Sequence, residues 1–422
     1  MTRILRKQFG RTALAIALVI GLAAFVGCEA VDPPDTVSFV GHGWGHGRGL
    51  SQFGAYGYAV DHGWTGSQIL DRYYGGTRTG LAADARQRVF LTAQTGKDLV
   101  VANTLGTMTT SADGYKATFK ALRIQRVDNT HFKLFTGQTC AGPWSAWTNQ
   151  RTVASIRVKP PVRSDDPRTM LQVCTATGSK YYRGDLLAVH VNSTVQTVND
   201  IEIEDQIRAV IPREIPASWA DAGNGRGANA LRAQAIAARS YALAGDTRFS
   251  PWATTCDSTL CQVYGGYGTR ARNATTIAKN EDPRSDLAVL ATRLQVRTFP
   301  NGTIARTEFS SSSGGFTAGG TFPVGRDDGD DTKLNPNHTW KATVGRTAIE
   351  AAFDKHEGKD LGTYVGLEVT KRNGYGDLGG RVLTVTTTFE KGEVTLTGNQ
   401  FRIVMGFKSD WFGIAPTPTG AG

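Results

Sequence analysis

The sequence predicts an α+β fold, rich in strands and with a few helices, on three observations. Between 86 and 179 apolar and polar residues alternate with the period of a strand, as in RVFLTAQ, LVVANT, HFKLF and RTVASIRVKP. The segment ALRAQAIAARSYAL instead repeats Leu231, Ala235, Ala238 and Ala242 at helical spacing. At 422 residues the chain is also long enough for a packed core and for more than one domain.

Taken in order, Arg3, Arg6, Lys7 and Arg11 precede an apolar run from Thr12 to Val26, the length and flanks of a signal peptide. The protein is therefore expected outside the cytoplasmic membrane. Cleavage after Ala30, lipidation at Cys28 and an uncleaved anchor all remain open. LSQFGAYGYAVDHG then reads as a helix ended by Gly63, and SQILDRYYGG as a second short one. The alternating region, 86–179, reads as a β-rich module, partly the core's own strands and partly an insertion. In IEIED, Glu202 and Glu204 alternate with isoleucines and read as the outer face of a strand, while Asp205 fits a cap before QIRAVI equally well. Glu214 follows between Pro212 and Pro216, a bracket that predicts a stiff, non-helical segment. GNGRG breaks the chain and Asn229 is the predicted N-cap of the alanine-rich helix. Beyond Ser285 the pattern is again mostly strands, and 416–422 is a frayed tail.

Lys and Arg total 47 against 37 Asp and Glu, a net charge of +10, part of it in the leader. A basic surface speaks of partners rather than of fold. No basic run with interleaved aromatics marks a nucleic-acid site, so for an exported chain anionic wall polymers or lipid headgroups are the expected partners.

Five blocks occur in one order: YRGDLLAVHVN, VNDIEIEDQIRAVIPREIPASW, ALRAQAIAARSYA, CDSTLCQVYGG and EFSSSSGGFTAGG. Their order and content resemble the SpoIID/LytB family of bacterial envelopes, the sporulation protein D and amidase-enhancer proteins. A sixth block, GHGWGHGRGLSQFGAYGYAVDHGWTGSQILDRYYGGT, is similar to the motif that closes the family pattern, yet here it stands near the start. The segment VTLTGNQFRIVMGFKSDWFGI (394–414) resembles the strand pair that ordinarily leads into it. The chain thus reads as a circular permutation whose two ends lie side by side. The domain reading is a leader (1–30), a first catalytic part (36–85), the inserted module (86–179), the main catalytic part (180–415) and the tail.

The resemblance implies a peptidoglycan lytic transglycosylase acting on glycan strands stripped of peptide, with Glu214 as the one acid-base group and helices set around a groove. Such an acid starts protonated, so burial against Ile215, Pro216 and Trp219 is expected to raise its pKa. The ordinary alternative is a loop carboxylate paired with Arg213 or Arg239. By the same resemblance Gln234, Arg239 and Tyr241 on the helix, and Ser311, Ser312, Ser313, Gly314 and Gly315, line the groove for sugar. Gln262 and Tyr264 are expected to face sugar, as are Ser51 and Gln52. His42 and His46 share one tight turn, with His62 as the nearest further ligand, and are read as structural or substrate contacts rather than a metal site. With Cys28 removed or lipidated, four cysteines remain, and an even count in an exported chain favours disulfides Cys256–Cys261 and Cys140–Cys174. Zinc at Cys256 and Cys261, known in some family members, is the disfavoured rival, and no cofactor is expected. A second reading makes the protein a wall-binding modulator that stimulates a separate amidase.

Overall fold

The strands of 86–179 do not stand apart from the rest of the chain. In the computed structural model, which describes residues 35–244 and 249–415, they are distributed over two sheets that they share with later strands. One sheet has six strands, in the order Thr255–Cys256, Arg86–Phe90, Thr194–Glu202, Asp185–Val191, Ser155–Lys159 and Thr109–Thr110. The other has eight, running Ala278–Lys279, Gly268–Ala271, Gly178–Tyr182, Leu171–Thr175, Leu99–Ala102, Ala121–Arg126, His131–Gly137 and Ser145–Thr152. Alternation puts Val101, Ile124, Phe132, Ile156 and Val173 on inner faces, where they join Leu186, Ile201, Ile207 and Leu231 in one core. The expected leader, Cys28 and the tail fall outside the described residues.

Seven α-helices occur among the described residues: α1 (Gln52–Val60), α2 (Gly66–Tyr73), α3 (Ile203–Glu214), α4 (Ala228–Leu243), α5 (Pro283–Ala291), α6 (Arg346–Glu357) and α7 (Gly398–Met405). The architecture is mixed α+β and rich in strands. Ser51 caps α1, which stops at Val60, with Gly63 in the left-handed region shortly after. Thr65 and Gln68 form a capping box on α2. The cap of α4 is Gly227, and Asn229 lies inside the helix. A Cβ at Gly227 would sit 1.9 Å from the Trp219 carbonyl oxygen, so only glycine fits where the asparagine was expected to act. Among the described residues no helix is long and apolar enough to cross a membrane.

Beyond Ser285 the described residues are, as expected, mostly strands, seven of them, with α5, α6 and α7 set among them. Ile349 and Phe353 recur one helical turn apart on α6 and are both buried, a period the strand reading passed over. The segment 394–414, by contrast with its expected form, is not a strand pair. It forms the end of strand Gly392–Thr397, then α7 behind a Thr397–Gln400 capping box, then strand Phe412–Ile414.

The strand Thr36–His42 lies between Thr339–Gly345 and Phe412–Ile414, antiparallel to both. Phe39 pairs with Ile414 and Gly41 with Phe412, and the Ala415 N–H donates to the Ser38 carbonyl at 2.8 Å. Phe39, Phe353, Phe389, Phe401 and Phe412 form a second core around this join. Both ends of the described chain therefore meet in one sheet, the juxtaposition that a permuted order requires.

Both cysteine pairs are disulfides, Cys140–Cys174 and Cys256–Cys261. Closing the 34-residue span should contribute roughly 3–4 kcal/mol by restricting the unfolded chain. A rearranged chain that starts at Arg86, runs to Ala415 and continues through a short glycine-serine turn into Thr36–Ala85 is expected to keep the fold. Circular dichroism melting should place its Tm within a few degrees of the natural order, and a chain that fails to fold cooperatively would contradict the side-by-side placement of the ends.

Candidate active site

The helix α3 continues the strand Thr194–Glu202 with no intervening loop and carries Glu214 as its last residue. The expected non-helical setting is thus corrected. Pro212 falls in the final turn, where it withholds one N–H from the helical ladder without ending the helix, and the chain leaves the helix only at Ile215 (φ −135°, ψ 147°). Pro216 imposes that extended geometry on the residue before it. Glu202 ends the strand and Glu204 and Asp205 lie in the first turn of α3, so Glu204 is not on a strand face and Asp205 is not the cap.

The Glu214 carboxylate is largely buried and accepts two hydrogen bonds, from the Val263 backbone N–H (3.0 Å) and from the Gln52 side-chain amide (3.3 Å). Burial raises its pKa above the usual value, while both donors oppose the rise by favouring the charged form. Among the described residues no lysine or arginine forms an ion pair with it. Arg239, the suggested partner, is committed elsewhere: its guanidinium meets Glu204 through two bonds of 2.8 and 2.7 Å and reaches the Gln295 carbonyl. With no exposed surface Arg239 clamps α3 to α4 and does not line a groove, which corrects its expected role.

Other expected sugar contacts also turn inward. Gln234 is fully buried on α4, Gln262 donates to the Ala238 carbonyl (3.1 Å), and the Tyr264 hydroxyl donates to Asn199 (2.6 Å). Gln262 and Tyr264 pin the segment after the Cys256–Cys261 loop, so that the Val263 amide between them points at Glu214. Tyr241 is half-buried and its hydroxyl accepts from Arg306, whose guanidinium also lies over the ring. Phe53 and Tyr56 of α1 pack on Trp219, with ring centroids 5.1 and 4.8 Å apart, and so carry Gln52 to the end of α3.

The position of α1 is set by a carboxylate that sequence reasoning missed. Asp330 has no exposed surface and accepts from the Ser51 hydroxyl (2.7 Å), the Ser312 hydroxyl (2.9 Å), and the backbone N–H groups of Ser313 (3.0 Å) and Gly314 (2.9 Å), with His338 Nδ1 at 3.0 Å. These donors hold its pKa below the usual range despite burial. The neighbouring Asp327 accepts from Ser313 and Tyr73 and is pushed up to about 7, by burial first and then by the Asp330 charge. Ser51, Ser312, Ser313 and Gly314 are therefore buried around two aspartates rather than open to sugar, a second correction. Ser311 and Gly315 remain partly exposed. A Cβ at Gly57 would lie 2.0 Å from the Gly329 carbonyl oxygen, so a glycine is required where α1 crosses this loop. An acidic run such as RDDGDD ordinarily reads as a solvated surface, and the only hint of inward polarity is the following NPNH, whose Asn335 donates to the Asp330 carbonyl.

The two histidines of the glycine-rich turn separate. His42 packs on Trp411 (4.8 Å between centroids) and stands 4.0 Å from Asp377, with burial lowering its pKa. His46 accepts the Arg48 N–H at Nδ1, and burial together with the Arg48 charge lowers its pKa to about 4. His62 lies against Tyr58 and Trp64. Among the described residues no group of three or more His, Cys, Asp or Glu side chains is arranged to hold a metal ion.

Residues 191–299, from the strand that feeds α3 to the one after α5, match the family described as Stage II sporulation protein (SpoIID). This segment belongs to the SpoIID family. The chain is 33% identical over 111 residues to the amidase enhancer of Bacillus subtilis, covering 26% of this chain and 12% of that protein. It is 39% identical over 69 residues to an uncharacterised protein of Brachyspira hyodysenteriae, covering 16% of this chain and 17% of the other. The chain thus spans under a fifth of either relative's length. No solved structure matches it. The SpoIID segment contains Glu214, Arg239 and the Cys256–Cys261 loop, whereas Gln52, Asp327 and Asp330 come from outside it.

The aspartate pair generates opposite pH dependences. Asp327, with a folded pKa above its unfolded one, favours the fold at low pH and loses that contribution as pH rises through about 7. Asp330, with a depressed folded pKa, favours the fold above its unfolded pKa and loses that contribution only in acid. Asp327→Asn is therefore expected to flatten the decline in stability between about pH 4 and 7 measured by urea unfolding, whereas Asp330→Asn should cost roughly 3 kcal/mol or more at both ends of that range. Equal effects of the two substitutions would refute this division.

Proposed function

We propose that the protein is an exported peptidoglycan lytic transglycosylase in cell-wall remodelling, with Glu214 as its single acid-base residue. The observation that carries the reading is the state of that carboxyl: mostly buried, raised in pKa, touched by two neutral donors and not paired to a cation. A protonated Glu214 gives its proton to the oxygen of the bond between N-acetylmuramic acid and N-acetylglucosamine as the C1–O bond breaks. The resulting carboxylate takes the proton of the muramic acid C6 hydroxyl, which attacks C1 and closes the anhydro ring. No water enters, and the acid is regenerated. A hydrolase would need a second carboxylate to activate water or act as nucleophile. Among the described residues no other acidic group contributes to the shift of Glu214, which suits a mechanism whose nucleophile belongs to the substrate and acts at high effective concentration.

A second reading, a non-catalytic enhancer of a separate amidase, is favoured by the name of the Bacillus subtilis relative. In that reading Glu214 only contacts sugar.

Glu214→Gln is expected to fold normally and bind glycan but to lose cleavage by at least about 10²–10⁴-fold. Mass spectrometry of soluble products from peptide-stripped strands should show anhydro ends from the natural protein. Reducing ends would mean hydrolysis, and no products from either protein would favour the enhancer. Because the acid works protonated, kcat/KM should fall as pH rises through the Glu214 pKa. Gln52→Ala, which removes a donor to the charged form, should move that falling limb to higher pH.

A further inference from the structure

Two cavities of about 620 and 510 Å³ adjoin at one end of the eight-stranded sheet, far larger together than one small anion needs, and share Thr175, Gly178, Ser179 and Arg270. The larger is lined by Lys120, Arg270 and Arg272 and by no carboxylate. The smaller adds Lys97 and Lys180 and a single carboxylate, Asp257, which already accepts the N–H and hydroxyl of Thr92 at 3.0 and 2.7 Å. Among the described residues none of these five cations is in an ion pair. Elsewhere arginines are commonly paired, as Arg86, Arg157, Arg183, Arg208 and Arg239 are.

The groove is also held rigid. Arg270 donates to Gln172 Oε1 (3.4 Å) and lies over the Tyr181 ring (5.6 Å), and the buried Gln172 amide is fixed by the Thr104 hydroxyl (2.6 Å). Arg272 donates to the Ala176 carbonyl. The Cys140–Cys174 disulfide ties one wall to the floor strand.

We propose that this groove binds an anionic cell-wall polymer, with phosphate or carboxylate groups spaced along a flexible chain. Two adjoining concavities lined by separate unpaired cations suit a strand of repeating charges that runs from one to the other, whereas a membrane surface needs a flat or protruding face. Tyr181 and Tyr182 are buried, which leaves no open aromatic platform in the groove for bases or neutral sugars. The site would hold the protein on the wall while Glu214 meets its own strand. It stands independently of glycan cleavage, so a negative result for Glu214→Gln leaves it untouched.

The test is binding of the full-length protein to poly(glycerol phosphate), polygalacturonate, neutral dextran and phosphatidylglycerol vesicles at two salt concentrations. At least one anionic polymer should bind, with affinity falling steeply as salt rises. The double variant Lys120→Gln/Arg272→Gln should bind it about tenfold more weakly with unchanged melting and unchanged glycan cleavage. A charge-matched control at the C-terminal end of α6 and just beyond it, Lys355→Gln/Lys359→Gln, should bind like the natural protein. Preference between phosphate and carboxylate polymers identifies the source of the charge. Binding to neither polymer, binding to vesicles alone, equal binding to dextran, or equal loss in the control overturns the proposal.

Discussion

The carboxylate of Asp330, with no exposed surface, is the place where three distant stretches of chain are joined. Its oxygens take the hydroxyl that caps α1, the hydroxyl and amides of the serine-glycine run, and His338. A buried charge is costly unless fully hydrogen-bonded, and these donors meet that condition with the charge in place. Ser51 occupies one oxygen of Asp330 and at the same time accepts the Gly54 N–H, so the start of α1 is fixed to the aspartate loop. Gln52 is the next residue, and the position of one donor to Glu214 follows from the position of Asp330.

The candidate acid is thus assembled from separate frames. Arg239 and Glu204 lock α3 to α4 and place the helix end. The residues flanking Val263 pin its backbone amide, and α1 brings in Gln52. Each donor to the carboxylate is neutral, which leaves burial as the dominant influence on its proton. Polar residues that the family resemblance suggested as sugar contacts mostly build this frame. Arg239, Gln262, Tyr264, Ser312 and Ser313 spend their hydrogen bonds on the protein itself, whereas Tyr241 and Ser311 remain partly open.

The glycine-histidine block near the start of the chain joins this assembly through a sheet that it shares with the C-terminal strand. The strand Thr36–His42 is seated between Thr339–Gly345 and Phe412–Ile414, so the block enters the site from the sheet into which a C-terminal copy would also lead. The β-rich region of 86–179 shares its sheets and core with the SpoIID segment and contributes walls and cations to a basic groove of its own.

The sequence by itself determined the strand-rich α+β class, the alanine-rich helix, the cysteine pairs and the adjacency of the two ends, because period, residue type and block order are local properties that survive in any packing. It also singled out Glu214, yet misread its backbone: Pro212 argued for an extended segment, and only the continuation of the strand into α3 put the carboxylate at a helix end. The serine-glycine run was legible as a contact surface but not as one turned inward, since nothing local distinguishes a serine that meets sugar from one that meets a buried aspartate. Asp327 and Asp330 were illegible for the same reason. Whether RDDGDD is solvated or buried depends on donors supplied by residues far away in the chain, and tertiary structure alone brings those donors within 3 Å.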